Sequence, residues 1–334
     1  MNPLSILELK QAVQATDGRV EARVHAQAET VAEKQTRDGK PYWEITLADA
    51  ESKLVLRAWS DSPMFDFCAQ LAPGAFLEVE GEFSVHPAFG LEARQWNARP
   101  LDDKAVEELL GGPPALREKQ ERDWETVREK LGSLADPRLH ALCDALLTDF
   151  EPRFRRAAAA RTYHHARRGG LVEHVAQMLR AADAIAGVYS ELNRDLLLAG
   201  VFLHDIGKLW ESCPEPRGFG MPYDERGELM GHITLGIETL NAVWRRIFPE
   251  PEPGNEDVRN HLIHLIAAHH GELEFGSPIP PKTPEAFVLH YLDNLDAKME
   301  MLHAAYQTGT ALAPRVIERV RPLPGNLVKP LGTQ

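Results

Sequence analysis

The sequence predicts a multidomain chain of two structural classes, a small β-barrel followed by an all-α domain. Three observations predict it. Residues 19–98 divide into five short stretches of alternating apolar and polar residues, separated by turn-forming Gly, Pro and Asp. From about 124 to 312 the text changes to helical periods with few β-branched runs. Twelve of the fourteen histidines fall in that second part, between His140 and His303.

The barrel elements follow in order. "RVEARVHAQAETVAEKQT" alternates as a first strand, "RDGK" is a turn, "PYWEITLAD" a second strand and "KLVLRAWS" a third. "SPMFDFCAQLA" has a helical period, and "AFLEVEGEFSVH" and "FGLEARQWNA" complete the strands. Three strands, a helix and two strands is the order of an OB-fold, a barrel that often holds single strands by stacking bases on surface aromatics. Tyr42, Trp43, Trp59 and Phe89 are the candidates; each is either such a platform or barrel core. The predicted bounds are 1–105 for the barrel and 106–135 for a charged, mostly helical linker broken by "GGPPA". Residues 136–312 are the helical domain, and 313–334 an extended tail rich in Pro and Gly.

Within the helical part, polar residues occupy inward stripes. His174 completes Leu171, His174, Val175, Met178, and Asp205 completes Leu198, Val201, Phe202, Asp205. His232 heads His232, Leu235, Gly236, Thr239; His269 ends Leu262, Leu265, Ile266, His269; Asp293 lies with Leu289, Leu292 and Asp296. An unpaired inward carboxylate costs several kcal/mol. Five inward polar groups on five helices need one common explanation, and a divalent metal supplies it by offsetting the carboxylates and accepting neutral imidazole nitrogen. His204 and His270 each sit beside one of these groups at a helix end, before Gly207 and Gly271, where adjacent side chains can reach one pocket. Lys208, one turn after His204, is either solvated or placed to meet an anionic substrate. Asp296 is a candidate to orient a histidine. His164 and His165 fit either phosphate or an extra metal; His261 and His264 read as surface or capping groups, His290 and His303 as structural.

The composition limits the alternatives. The net charge of −13 excludes a generic basic nucleic-acid coat, so any such binding is local. One local run exists: six arginines and no acid between Arg153 and Arg168, either a solvated face or a phosphate track that includes Arg167 and Arg168. No stretch of eighteen apolar residues is present, which argues against a membrane span. The N-terminus lacks the basic and apolar regions of a secretion signal. Cys68, Cys143 and Cys213 are widely spaced without CxxC, as expected of a cytoplasmic protein.

The pattern His174, His204-Asp205, Asp293 resembles the HD-domain superfamily of metal-dependent phosphohydrolases. "YHHARRGGLVEHV", "LLAGVFLHDIGKLWE", "GHITLGIETL" and "AAHHGELEFGSPIPPKTPEAFVLHYLDNLDAKM" are similar, more narrowly, to YhaM-type 3′→5′ exoribonucleases, which carry an OB-fold ahead of the HD domain. The resemblance implies a centre of two divalent ions, manganese favoured. It implies His174, His204, Asp205 and Asp293 on the first ion, with His232, His269, His270 and the shared Asp205 on the second. Asp205 is the natural bridge because a carboxylate has two oxygens; two such ions clamp a scissile phosphate from both sides. Lys208 and the Arg167-Arg168 pair would neutralise phosphate charge. The expected activity is trimming of single-stranded RNA, and also DNA. The alternatives are an HD phosphohydrolase of a nucleoside triphosphate or cyclic dinucleotide, and a non-enzymatic nucleic-acid-binding module. Homo-oligomer formation stays open, and "SCPEPRGFGMPYDERGEL", 212–229, is a departure with no assigned role.

Overall fold

A computed structural model of the chain describes residues 2–16, 19–86, 90–250 and 252–332. It divides into two compact units, residues 1–117 with 215–220, and residues 118–214 with 221–334.

The first unit opens with helix α1 (Ile6–Ala15), which the strand pattern did not predict. Its signal was in the sequence as a capping box: the Ser5 hydroxyl accepts from the Glu8 amide, and the Glu8 carboxylate from the Ser5 amide. Ile6, Leu9 and Val13 face inward. Five antiparallel strands follow: β1 (Val20–Gln35), β2 (Pro41–Ala48), β3 (Lys53–Trp59), β4 (Phe76–His86) and β5 (Gly90–Pro100). Helix α2 (Phe65–Gln70) lies between β3 and β4, as expected. The sheet order is β3-β2-β1-β4-β5. The sixteen-residue β1 pairs β4 with its first half and β2 with its second, and the register shifts between Ala28 and Thr30. Such a bulge lets one strand bend and serve both sides of a curled sheet. Inward alternation along β1 (Ala22, Val24, Ala26, Ala28), β2 (Ile45, Leu47) and β3 (Leu54, Leu56, Ala58) builds the core. Helix α3 (Asp103–Gly111) follows. The segment 215–220, from the stretch that had no assigned role, belongs to this unit: Phe219 is buried against Ala48 and Ala50, and its amide donates to Gln27 Oε1 at 2.8 Å.

The second unit is helical: α4 (Pro114–Gly132), α5 (Pro137–Phe154), α6 (Gly170–Ala186), α7 (Arg194–Leu203), the single turn α8 (Lys208–Glu211), α9 (Glu225–Ile247), α10 (Pro253–Ala268) and α11 (Pro284–Thr308). Helix α7 is the hub. Every residue from Leu196 to Leu203 is buried, and α5, α6, α10 and α11 pack around it. An all-round apolar helix belongs at the centre of a unit, so whatever follows its last turn also lies at the centre. The tail differs from the extended expectation. Strands β6 (Ala311–Ala313), β7 (Val316–Ile317) and β8 (Leu327–Val328) form a small antiparallel sheet that buries Ile317 and Leu323. No helix among the described residues is long and apolar enough to cross a membrane.

Candidate metal centre

The last residue of α7 is Leu203; His204 caps it and Asp205 begins the turn to α8. Asp205 is therefore beyond the helix whose stripe it continued, yet still at the centre of the unit. Gly207 makes this turn possible by its size. Its φ is ordinary, but a Cβ there would lie 1.9 Å from the His232 carbonyl oxygen. That close approach brings α9, and with it His232, up to the turn.

The seven sequence-predicted ligands converge here. On one side, His174 Nε2 lies 3.3 Å from His204 Nε2 and 3.3 Å from Asp293 Oδ1. On the other, one donor atom each from His232, His269 and His270 falls within 4.8 Å of the others. Asp205 lies between them. Its Oδ2 is 3.5 Å from His204 Nε2 and 4.0 Å from His174 Nε2; its Oδ1 is 3.5 Å from His232 Nε2 and 3.8 Å from His269 Nε2.

Each imidazole is held from behind. The His204 Nδ1–H donates to Val201 O at 2.7 Å, His269 Nδ1–H to Ile266 O at 2.7 Å, and His270 Nδ1–H to Phe275 O at 2.8 Å. His174 Nδ1–H donates to Asp296 Oδ2 at 2.7 Å, so Asp296 orients a histidine as expected. His232 Nδ1 lies 3.0 Å from Glu211 Oε2. With Nδ1 occupied, every ring presents Nε2 to the pocket, the usual arrangement of metal-ligating histidines. His232 Nε2 and His269 Nε2 are buried with no hydrogen-bond partner. A buried acceptor left that way costs about 1–3 kcal/mol, and a cation removes the deficit. The donor set therefore fits a divalent metal.

The electrostatics agree. Burial holds the His232 imidazole below its usual range, and the His269 imidazole well below it, so both are neutral lone-pair donors. Burial alone would raise the carboxyls. Lys208 instead holds Asp205 well below its usual range, and the hydrogen bond from His174 does the same for Asp293. Burial likewise opposes charge on His174, but the hydrogen bonds it donates to Asp293 and Asp296 push it up to about 10. Lys208 is largely buried, 3.6 Å from Glu211 Oε2.

Other expected contacts are not brought here. Arg167 is a correction: its guanidinium is matched by Glu173, at 2.6 and 3.0 Å, and by Glu300 at 2.7 Å, so it ties α6 to α11 instead of facing a phosphate. Arg168 is half-buried, and its carbonyl accepts from Gln120. Others of the basic run are committed to carbonyls: Arg161 donates to the Glu211, Met221 and Pro222 carbonyls, and Arg156 to Pro214, while Arg155 pairs with Glu121 and Glu151. In the first unit, Trp43 is a second correction, packed against the core beside Phe65. Tyr42 and Trp59 pair across β2 and β3 with ring centroids 4.8 Å apart, and Trp59 is 40% exposed. Phe89 lies outside the described residues.

Three polar groups that the sequence left open or missed gain places. His165 Nε2–H donates to Asp296 Oδ2 at 2.9 Å, behind His174. His164 faces the pocket 5.7 Å, ring to ring, from His174, and burial first, then His174, lowers its imidazole to about 4. Glu211 went unnoticed; its signal was its place in the turn after Lys208. Of the remaining histidines, His290 donates to the His269 carbonyl at 3.0 Å, and His264 accepts from the Lys282 amide.

A histidine-aspartate pair closing a buried central helix, ringed by ligands from the surrounding helices, defines an HD-domain protein, and the HD domain model matches residues 171–298. The chain belongs to the YhaM 3′-5′ exoribonuclease family. It is 33% identical over 290 residues to 3′-5′ exoribonuclease YhaM of Bacillus subtilis (strain 168), covering 85% of this chain and 84% of that protein. The proteins of the same name from Oceanobacillus iheyensis and Geobacillus sp. are 33% and 34% identical, each over 81% of this chain and 82% and 80% of their own lengths.

Proposed function

We propose that the protein is a metal-dependent 3′→5′ exonuclease that trims single-stranded RNA, and single-stranded DNA, at a dinuclear centre. One observation carries the reading: the two oxygens of Asp205 face two different clusters. His174, His204 and Asp293 would hold one ion and His232, His269 and His270 the other, with Asp205 shared; manganese suits this mixed imidazole and carboxylate set. Bound there, divalent ions supply Lewis-acid polarisation of a phosphoryl oxygen and neutralise developing charge. The chain's own groups do the rest. Asp205 and Asp293 fix the pocket's negative charge, His232 and His269 stay neutral, and Lys208 supplies a cation for a backbone phosphate. Water adds to phosphorus, the bond to the penultimate nucleotide's 3′ oxygen breaks, and a nucleoside monophosphate leaves.

The β unit, read as an OB-fold, would hold the strand upstream through Trp59 and Tyr42, raising the effective concentration of the 3′ end. The 290-residue match to the Bacillus relative is longer than the helical unit, so it takes in much of the β unit as well. That favours a polymer over the alternative of a nucleoside triphosphate or cyclic dinucleotide. Two further features complete the reading. Free Cys68, Cys143 and Cys213 suit a reducing cytoplasm. Phe287, Tyr291, Leu295 and Met299 are exposed four residues apart along α11, and an antiparallel copy would set Phe287 on Met299 and Tyr291 on Leu295, which supports a homo-oligomer.

The test is digestion of 3′- and 5′-labelled single-stranded RNA with manganese, beside metal analysis. Nucleoside monophosphates released from the 3′ end, with two ions per chain, are expected. Intact RNA overturns the exonuclease reading, and one ion per chain overturns the dinuclear one.

A further inference from the structure

The loop from Gly271 to Ser277 joins the end of α10 to the segment before α11, and it carries two exposed apolar side chains. Leu273 is 62% exposed and Phe275 58%. Single exposed apolar residues are common. This pair stands on a loop that is tied at both ends and closed by one turn. Gly271 is left-handed, φ 80°, and a Cβ there would lie 2.2 Å from the His290 ring. The Phe275 amide donates to Glu272 O at 3.1 Å and the Gly276 amide to Leu273 O at 3.0 Å, closing a single 3₁₀ turn, Leu273–Phe275. The buried Ser277 hydroxyl donates to Ala267 O at 2.9 Å. All of these bonds are made by backbone, glycine or Ser277. Neither apolar side chain is needed to form the turn.

The position of Phe275 is specific. Its carbonyl is the acceptor that holds the His270 Nδ1–H, at 2.8 Å. The ring therefore springs from the residue that orients a member of the second cluster. Phe275 is exposed, on the residue whose carbonyl backs His270, and a bare aromatic face matches the chemistry of an unpaired nucleobase. Ions and imidazoles engage phosphate and leave the base unbound. A π-face binds any base, because stacking needs no hydrogen-bond pattern. A rigid platform also spares the entropy of positioning the reacting end.

We propose that Phe275, flanked by Leu273, is the stacking platform for the 3′-terminal base of the strand. The inference rests on the exonuclease reading for its substrate, and it adds a subsite that grips the terminal base. Phe275 is a positioning residue in it: the ring contacts the base, and the chemistry stays at the cluster.

The test compares RNA ending in an ordinary nucleotide with RNA ending in an abasic residue. Wild-type protein should show a KM on the order of tenfold higher for the abasic end, with kcat less affected. Phe275→Ala should raise KM for ordinary RNA by a similar factor and lose the discrimination. Phe275→Trp should restore both, and Phe275→Leu, which keeps apolar volume without a ring, should not. Tyr189→Ala, at another exposed aromatic, should change neither. A second readout needs no turnover. RNA carrying 2-aminopurine at its 3′ end, added to protein in chelator, should be quenched by wild type and by Phe275→Trp but not by Phe275→Leu. Unchanged KM and full abasic discrimination in Phe275→Ala overturn the platform. Failure of wild-type protein to digest RNA overturns the exonuclease reading instead, and the quenching arm still decides whether Phe275 binds the base.

Discussion

The two clusters are built from similar residues but backed differently. Behind His174 stands the carboxylate of Asp296, itself held by His165, and Asp293 completes the first cluster. Behind His269 and His270 stand main-chain carbonyls, and only His232 has an acid, Glu211, at its back. The first cluster thus concentrates negative charge, while the second, built of imidazoles of which burial keeps His232 and His269 neutral, leans on the shared Asp205. A cation gains most where carboxylates have already been desolvated. We expect the first cluster to bind its ion more tightly, and the second to hold the exchangeable one.

The largest effect comes from the group common to both. Asp205→Ala should lower exonuclease activity by about three orders of magnitude or more and remove both ions by metal analysis. Loss of one ion alone would break the comparison, because each cluster would then be self-sufficient. A smaller effect separates the clusters. Asp296→Asn should weaken the tighter ion by about 10–100-fold, and Glu211→Gln the weaker one by a similar factor, as supporting carboxylates do elsewhere. Calorimetric metal titration of both variants reads this directly. If Asp296→Asn instead altered the weaker ion, the assignment of the backing carboxylates would be reversed.

The same contrast explains what the sequence revealed. Polar residues on inward stripes are costly unless matched, so His174, Asp205, His232, His269 and Asp293 stood out from spacing alone, and all five meet. The backing groups were harder to read. Val201 O, Ile266 O and Phe275 O are main-chain atoms with no sequence signature, and Glu211 looks like any helix acid until α9 comes close. Charge misled where pairing is long-range: Arg167 belongs to a basic run in sequence, but Glu173 and Glu300 claim it. In the β unit, alternation located the strands well, while the outward or inward sense of Trp43 depended on packing against Phe65. The small sheet of the tail rests on two- and three-residue strands, too short for any period to register.

The smallest functional effect concerns the scaffold of the first cluster. Glu173 neighbours His174 on α6 and is buried among Arg167, Lys119 and Gln120, at 2.6, 2.7 and 2.9 Å. Burial opposes its charge, but Arg167, Lys119 and Gln120 hold the carboxyl down at about 2. Glu173→Ala takes one of two carboxylate partners from Arg167, which keeps Glu300, and from Lys119, which keeps Asp123, and should cost about 1–3 kcal/mol of stability, read by urea denaturation. Glu173→Gln keeps the volume and part of the hydrogen bonding, so it should cost less. Below its unfolding midpoint, either variant should weaken the tighter ion and leave the weaker one unchanged, because α6 contributes a ligand to the first cluster only. Equal weakening of both ions would mean that Asp205 transmits a displacement of α6 to the second cluster. The two sites would then be one mechanical unit despite their different backing.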